Sequence, residues 1–264
     1  MEQVLHRPPH RYGIQRSRWR LHDLGRAVSW LNGCSTPGVA KVLYRLGFRY
    51  KRARNFIHSP DPQFREKWDK ILQAFLHALE HPDTVVFLLA DELTYYRQPS
   101  LAPAYALTGC TEPRAYQEPR RNTQTRVAAA LNGVTGRVTY LQRSKVGEAA
   151  LISFYAQIRS AYPEAQVIYL VEDNWPTHKL PTVLQAAAEQ GLVPLFIPTY
   201  ASWLNPIEKL WRWLKQEGVL REAPLHLHRW AHDLDQLRRQ VCAFLDQFAE
   251  GSEVLLRYVG LLSG

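Results

Sequence analysis

The stretch 168–213 reads I-Y-L-V-E-D-N-W-P-T-H at 168–178, then a spacer of helical periodicity, then P-L-F-I-P-T-Y-A-S-W-L-N-P-I-E-K-L-W-R-W at 194–213. One apolar run ends on an acid, Asp173. A second leads into a helical pattern that carries another acid, Glu208, with 34 residues between the two. Upstream, V-V-F-L-L-A-D at 85–91 is a third apolar run, closed by Asp91. Continuous apolar runs of this length fit strands covered on both faces. Working outward, strands are expected over 85–90, 125–132, 138–142, 167–171 and 193–197. The turn V-T-G-R joins the second and third of these as a hairpin. Helices are expected over 146–161, 181–190 and 205–216, with covering helices over 230–248 and 253–262. Three successive strands make an antiparallel meander, and strands joined through helices make parallel crossovers. The expected fold class is therefore α/β, a mixed sheet flanked by helices.

The 264 residues are 46% apolar and 22% charged, ordinary for a soluble globular protein. No apolar run approaches the roughly 18 residues that span a bilayer, and the N-terminus has no apolar signal core. A cytoplasmic, unprocessed protein with no membrane partner is expected. Three cysteines, Cys34, Cys110 and Cys242, have neither disulfide nor zinc spacing.

The net charge of +9 is confined to one end. Residues 1–60 hold 12 Lys and Arg against 2 Asp and Glu, and the remainder holds 21 against 22. A basic lobe beside a near-neutral one suits a polyanion-gripping module attached to a domain with another task. Residues 1–12 read as an extended arm. Trp19, Leu21, Leu24, Val28, Trp30 and Leu31 fall at helical spacing over 15–31, and Asn32-Gly33 stops that helix. Ser35-Thr36-Pro37 starts a second, over 37–46, with Val39, Val42, Leu43 and Leu46 on its apolar face. Helix, glycine turn, helix is the helix-turn-helix plan, a small all-α domain whose second helix reads the groove. Lys41, Arg45, Arg49, Lys51, Arg52 and Arg54 are the candidate DNA contacts. A helical bundle with a basic solvated exterior has the same charge count. H-S-P-D-P at 58–62 marks a border, and Asp61 caps a helix running to about Leu79 that reads as a connector. The expected organisation is a basic domain over 1–60, a linker helix over 61–82 and a catalytic domain over 83–264.

Three acids at the ends of neighbouring strands and on the next helix suit a divalent-metal site. Two Mg²⁺ ions (or Mn²⁺) about 3.5–4 Å apart can activate a nucleophilic oxygen and stabilise a leaving one in phosphoryl transfer. Such hard ions need few carboxylates beside the substrate phosphate. Glu92 adjoins Asp91 and Glu172 adjoins Asp173. Neighbours on a strand face opposite sides, so only one of each pair can join a shared site, and position alone does not choose. A strand-end Asp also serves simply as a turn residue. Asn174 and His178 are candidates to position a carboxylate or a phosphate, against a turn and a helix cap. Asn205 is the expected cap of the Glu208 helix. Trp203, Trp211 and Trp213 read as core, with base stacking the lesser alternative.

D-E at 91–92, D-N-x-x-x-H at 173–178 and L-N-P-I-E-x-x-W at 204–211 together resemble the DDE transposases of the mariner superfamily, in its bacterial insertion-sequence branch. The likeness covers 35–217 and includes R-L-G-F-R-Y-K-R-A-R at 45–54 with S-P-D-P at 59–62. It implies a ribonuclease-H-like core, and Asp91, Asp173 and Glu208 as the metal-binding catalytic triad in place of Glu92 and Glu172. It further implies a DNA-associated bacterial enzyme that cuts the terminal inverted repeats of a transposon. The freed 3′-hydroxyl is then joined to target DNA, typically at a TA step, by a homodimer. Two features depart from that family. There is room for one clear helix-turn-helix unit where two are common, and an extra acid, Glu172, adjoins the second ligand. A catalytically inactive DNA-binding repressor or domesticated remnant, and another nuclease on the same fold, are the competing readings.

Overall fold

The computed structural model describes residues 1–50, 58–99, 107–109, 114–119, 123–216 and 233–262. The chain divides into two compact units, Met1–Phe56 and Ile57–Gly264. In the first, α1 (Glu2–Leu5) and a 3-10 turn (Pro9–Tyr12) replace the extended arm expected over 1–12. Met1, Val4 and Leu5 are apolar at helical spacing and pack against a small core of Leu24, Val28, Leu31 and Val39. Helix α2 spans only Leu21–Ala27, followed by a 3-10 turn at Ser29–Leu31. Trp19 lies outside the helix, donating from Nε1 to the Arg7 carbonyl at 2.8 Å and packing on Tyr12.

Gly33, at φ +85°, makes the turn that no side chain adopts cheaply. The Ser35 hydroxyl then accepts from Gly38 N–H and caps α3 (Thr36–Arg45). Lys41 and Arg45 stand exposed on α3, and so does Leu46, which does not join the apolar face expected of it. Arg49 folds back, its guanidinium 3.3 Å from the Tyr44 ring centroid and donating to the carbonyls of Tyr44 and Phe48. Lys51, Arg52 and Arg54 lie outside the described residues.

The second unit begins with α4 (Phe64–Glu80). This is the helix expected as a linker, and it falls within the second compact unit. Ile71, Ala74 and Ala78 lie 3–4 positions apart and bury against the sheet. Asp61 does not cap it at its first residue. Its Oδ1 accepts Gln63 N–H, and its Oδ2 takes Lys67 Nζ (2.7 Å) and Thr199 N–H (2.8 Å). The sheet follows with β1 (Val85–Tyr96), β2 (Gln124–Asn132) and β3 (Val138–Arg143) as an antiparallel meander. Helix α5 (Glu148–Ala161) leads to β4 (Val167–Glu172), and α6 (Pro181–Glu189) to β5 (Leu192–Phe196). Helix α7 (Ile207–Gln216) follows, then α8 (Leu234–Asp246) and α9 (Glu253–Val259). The strand order is β3-β2-β1-β4-β5, with β4 and β5 parallel to β1.

Each sheet face has its own core. Helices α5 and α6 cover one face with Phe154, Tyr155, Ile158, Val183 and Ala187. Helices α4, α7, α8 and α9 cover the other with Ile71, Ile207, Trp211, Phe244 and Leu255. The hairpin turn between β2 and β3 sits on the α8–α9 connection. Asn132 Oδ1 accepts the N–H groups of Val134 and Thr135, and Ser252 N–H donates to the Thr135 carbonyl at 2.9 Å. Among the described residues, no helix is long and apolar enough to cross a membrane.

Candidate active site

Asp91 does not end its strand. β1 continues five residues beyond it because Leu93 and Tyr95 keep alternating into the core and β2 keeps pairing with it. What ends near Asp91 is the other neighbour. β4 pairs with β1 only from Val85↔Val167 to Leu89↔Val171. Asp91 thus stands two residues past the last pairing with β4, where the sheet opens.

Strand alternation separates the rival acids. Val85, Phe87, Leu89 and Leu93 point to the α4/α7/α8 side, while Val86, Leu88 and Ala90 point to the α5/α6 side. Asp91 shares the first parity and Glu92 the second. On β4, Ile168 and Leu170 face α5 and α6, and Glu172 has their parity. Its carboxylate accepts the Tyr155 hydroxyl of α5 at 2.7 Å, while Oε2 is buried without a hydrogen-bond partner. Burial comes first in pushing Glu172 up to about 7, against the pull of His178 and Tyr155.

Asp91 Oδ2 accepts from the indole Nε1 of Trp211 on α7 at 2.7 Å. Burial, then the charges of Glu208 and Glu92, push Asp91 up to about 7 despite that bond. The charge of exposed Glu208 therefore reaches Asp91. Asp173, the first residue past β4, is held differently. Its Oδ1 accepts Trp175 N–H at 2.8 Å and lies 3.2 Å from His178 Nδ1. Hydrogen bonding to His178 holds Asp173 below the usual carboxylate range, against partial burial.

His178 is 1% exposed and reaches Glu92 Oε1 with Nε2 at 3.1 Å. Burial disfavours its charged form. The hydrogen bonds to Asp173 and Glu92, with the charge of Glu172, overcome that and push the imidazole up to about 11. With both ring nitrogens donating, it is a fixed cation behind the site. Asn205 does not cap α7 with its side chain. Its Nδ2 donates to the Ala90 carbonyl at 2.8 Å, and its Oδ1 is buried without a hydrogen-bond partner. The helix start is thereby fastened to the residue before Asp91. Asn174 donates from Nδ2 to the Ile197 carbonyl (2.6 Å) and accepts from Lys179 Nζ (2.7 Å), joining the ends of β4 and β5.

Glu208 is thus near enough for its charge to act on Asp91, while Asp173 is tied to His178. Among the described residues, no three His, Cys, Asp or Glu side chains form a set that could hold a metal ion alone. The pair nevertheless fits a hard divalent ion. Such an ion binds through one or two carboxylates together with water and substrate phosphate. A partly buried carboxyl, raised by desolvation and then by its neighbour's charge, is stabilised as the anion when a cation stands beside it. Trp211 is buried in the core as the sequence suggests, and its bond to Asp91 was not expected. The signal was its place one helical turn after Glu208, which aims both at one face of α7. Lys209 next to Glu208 is structural, its Nζ donating to the Val259 carbonyl at the end of α9 at 2.6 Å.

Comparisons with known proteins agree with this architecture. Residues 84–225 match the family model described as DDE superfamily endonuclease. A curated relative from Shigella sonnei, the insertion element IS630 uncharacterized 39 kDa protein, is 27% identical over 216 residues, which is 80% of this chain and 61% of that protein. The chain therefore spans about three-fifths of that relative's length. The Mos1 transposase paired-end complex with left transposon end superposes with a TM-score of 0.62 at 14% identity, over 94% of this chain and 76% of that one. A pre-cleavage Mos1 transpososome gives 0.63 at 15% identity, over 94% and 77%. Those likenesses concern the fold, a ribonuclease-H-like mixed sheet flanked by helices.

Proposed function

The chain belongs to the DDE superfamily endonucleases, and from that premise we propose that it is a DNA transposase whose site residues are Asp91, Asp173 and Glu208. The observation that carries the reading is the partly buried Asp91 carboxyl, held by Trp211 at the opening of the sheet and raised to about 7 by burial and then by the charge of Glu208. The relatives support it in kind: one is an insertion-element protein, and Mos1 complexes contain a transposon end in one case and Mg or Mn in others.

Asp91 and Glu208, joined by Asp173 when DNA is in place, would hold Mg²⁺ or Mn²⁺, two ions in the full site. A bound ion pair supplies charge neutralisation at the phosphate and makes a water more acidic. The chain's own residues set the geometry. Trp211 fixes the rotation of Asp91, His178 fixes Asp173, and Asn205 fixes the first turn of α7. In the first step water adds to a terminal phosphodiester, the P–O3′ bond breaks, and the strand is left with a 3′-hydroxyl. In the second, that hydroxyl attacks a target phosphodiester, at TA steps, and displaces its 3′ oxygen. Helices α2 and α3 form the helix-turn-helix that grips the terminal repeat through Lys41 and Arg45. A second copy of the chain holds the other end.

The test uses duplexes copied from the DNA flanking the reading frame. With Mg²⁺ or Mn²⁺ the protein nicks them at the repeat boundary. Asp173→Ala binds the same DNA and does not nick it. Equal nicking by Asp173→Ala and parent overturns the site assignment. Binding without nicking by the parent leaves a DNA-binding protein.

A further inference from the structure

The loop 198–205 joins β5 to α7 and is tied down beside both aspartates. At its start, the Ile197 carbonyl accepts from Asn174, the residue after Asp173. At its end, Asn205 donates to the Ala90 carbonyl, next to Asp91. A third tie holds Thr199. Its carbonyl accepts the Ser59 hydroxyl (2.6 Å), and its N–H donates to Asp61 Oδ2. That same Asp61 oxygen carries Lys67 at 2.7 Å.

Between these ties lies a four-residue turn closed by Ala201 N–H on the Pro198 carbonyl at 3.1 Å. The third place in the turn is Tyr200, at φ +56°. Among the described residues it is the one non-glycine with positive φ. Glycine and asparagine ordinarily take that place, because a Cβ there is strained. A bulky side chain in that region is unusual and calls for a reason. Packing does not supply one, since Tyr200 is 78% exposed while its neighbour Ala201 is 1% exposed. Trp203, three residues on, is also 43% exposed. A strained position carrying an unused aromatic ring at the rim of a site is the kind of expense that a ligand repays.

An exposed aromatic face beside a phosphodiester-cutting site suits a nucleobase, since every base has a face on which a ring can stack. Displacing a base from a duplex costs a few kcal/mol, least where its pair is mismatched, and a protein ring that stacks on the displaced base offsets that cost. We propose that Tyr200 stacks on a base displaced from the duplex next to the phosphodiester that is cut. The ligand of this loop is thus an unstacked nucleobase of the DNA substrate. The inference rests on the proposed DNA-cutting function and deepens it.

The experiment compares parent, Tyr200→Gly and Tyr200→Phe on duplexes copied from the flanking DNA, either fully paired or with a single mismatch beside the cut. Glycine relieves the φ strain, so Tyr200→Gly melts at or above the parent temperature. It binds the DNA and cuts it about 10-fold or more worse, in line with the loss of one base–aromatic stack. The parent favours the mismatched duplex, whose base is already loose, and Tyr200→Gly loses that preference. Tyr200→Phe recovers most of what glycine removes. Parental binding and cutting by Tyr200→Gly would overturn the inference, as would an equal defect in Tyr200→Phe, which assigns the contact to the hydroxyl. A defect accompanied by a lowered melting temperature would also overturn it. Cutting by the parent with no glycine defect sinks the contact and leaves the function. Binding without cutting by the parent, weakened by glycine, sinks the function and leaves the contact. A parent that neither binds nor cuts removes both.

Discussion

Asp91 is the residue with the most at stake. In the folded chain its carboxyl holds a proton up to about pH 7, whereas an unfolded Asp loses it near the ordinary value of 3.8. The folded state therefore binds the extra proton between those values, and stability falls as pH rises from about 4 to about 7. Above 7 the full penalty remains, on the order of 4 kcal/mol. Asp91→Asn should remove the share of this slope that belongs to Asp91, leaving that of Glu172, which is also raised to about 7, and melt higher than the parent at pH 7.5 without metal. Added Mg²⁺ should raise the melting temperature of the parent and not of Asp91→Asn, because only the parent has the repulsion that a cation relieves. A parent curve flat from pH 4 to 7, or an equal Mg²⁺ shift in both proteins, would contradict the account. His178 also loses stability as pH rises, but because its charged form is favoured in the fold. Its stabilisation is complete below the ordinary imidazole value of 6.5 and fades as pH rises toward about 11. Melting between pH 7 and 9 is therefore governed by the imidazolium and not by Asp91.

At the scale of elements, much was readable because chain periodicity reports burial directly. The apolar runs over 85–90 and 167–171 became neighbouring strands, and V-T-G-R became the turn of a hairpin. Strand ends were harder to place. The acidic pair Asp91-Glu92 looked like the end of β1, yet Leu93 and Tyr95 extend it, since pairing with β2 outlasts pairing with β4. Long-range hydrogen bonds left no trace in the pattern. Asn205 looks like a helix cap and is a clamp on Ala90, 115 positions away. That Glu172 turns toward α5 showed only in β4 parity and the Tyr155 hydroxyl. The hairpin turn carries its own test. A Cβ on Gly136, at φ +73°, would lie 2.3 Å from the Ser252 carbonyl oxygen. Neither the αL backbone nor the opposing main chain can yield, so Gly136→Ala should lose roughly 3 kcal/mol or more in urea unfolding. A loss under 1 kcal/mol would mean that the α8–α9 connection moves freely.

Over the whole molecule, charge and chemistry are segregated. The excess of cations lies within residues 1–60, and the acids of the candidate site lie in the near-neutral remainder. Under the proposed function, DNA affinity then depends on salt through the first unit while cutting depends on the second. Replacing both Lys41 and Arg45 by alanine should reduce the slope of log affinity against log salt by about 2, at roughly 0.9 per phosphate contact. Fluorescence anisotropy on a labelled duplex reads this, and an unchanged slope would place the grip elsewhere. The sheet imposes one further rule on the entire chain. Since side chains of β1 and β4 alternate between two separate cores, membership of the site is a matter of odd and even. One residue gained or lost ahead of Asp91 within β1 would trade a carboxylate that faces Trp211 for one that faces His178, whereas a change of two would restore the order. Drift in the length of this protein is therefore free in its loops and quantised in its strands.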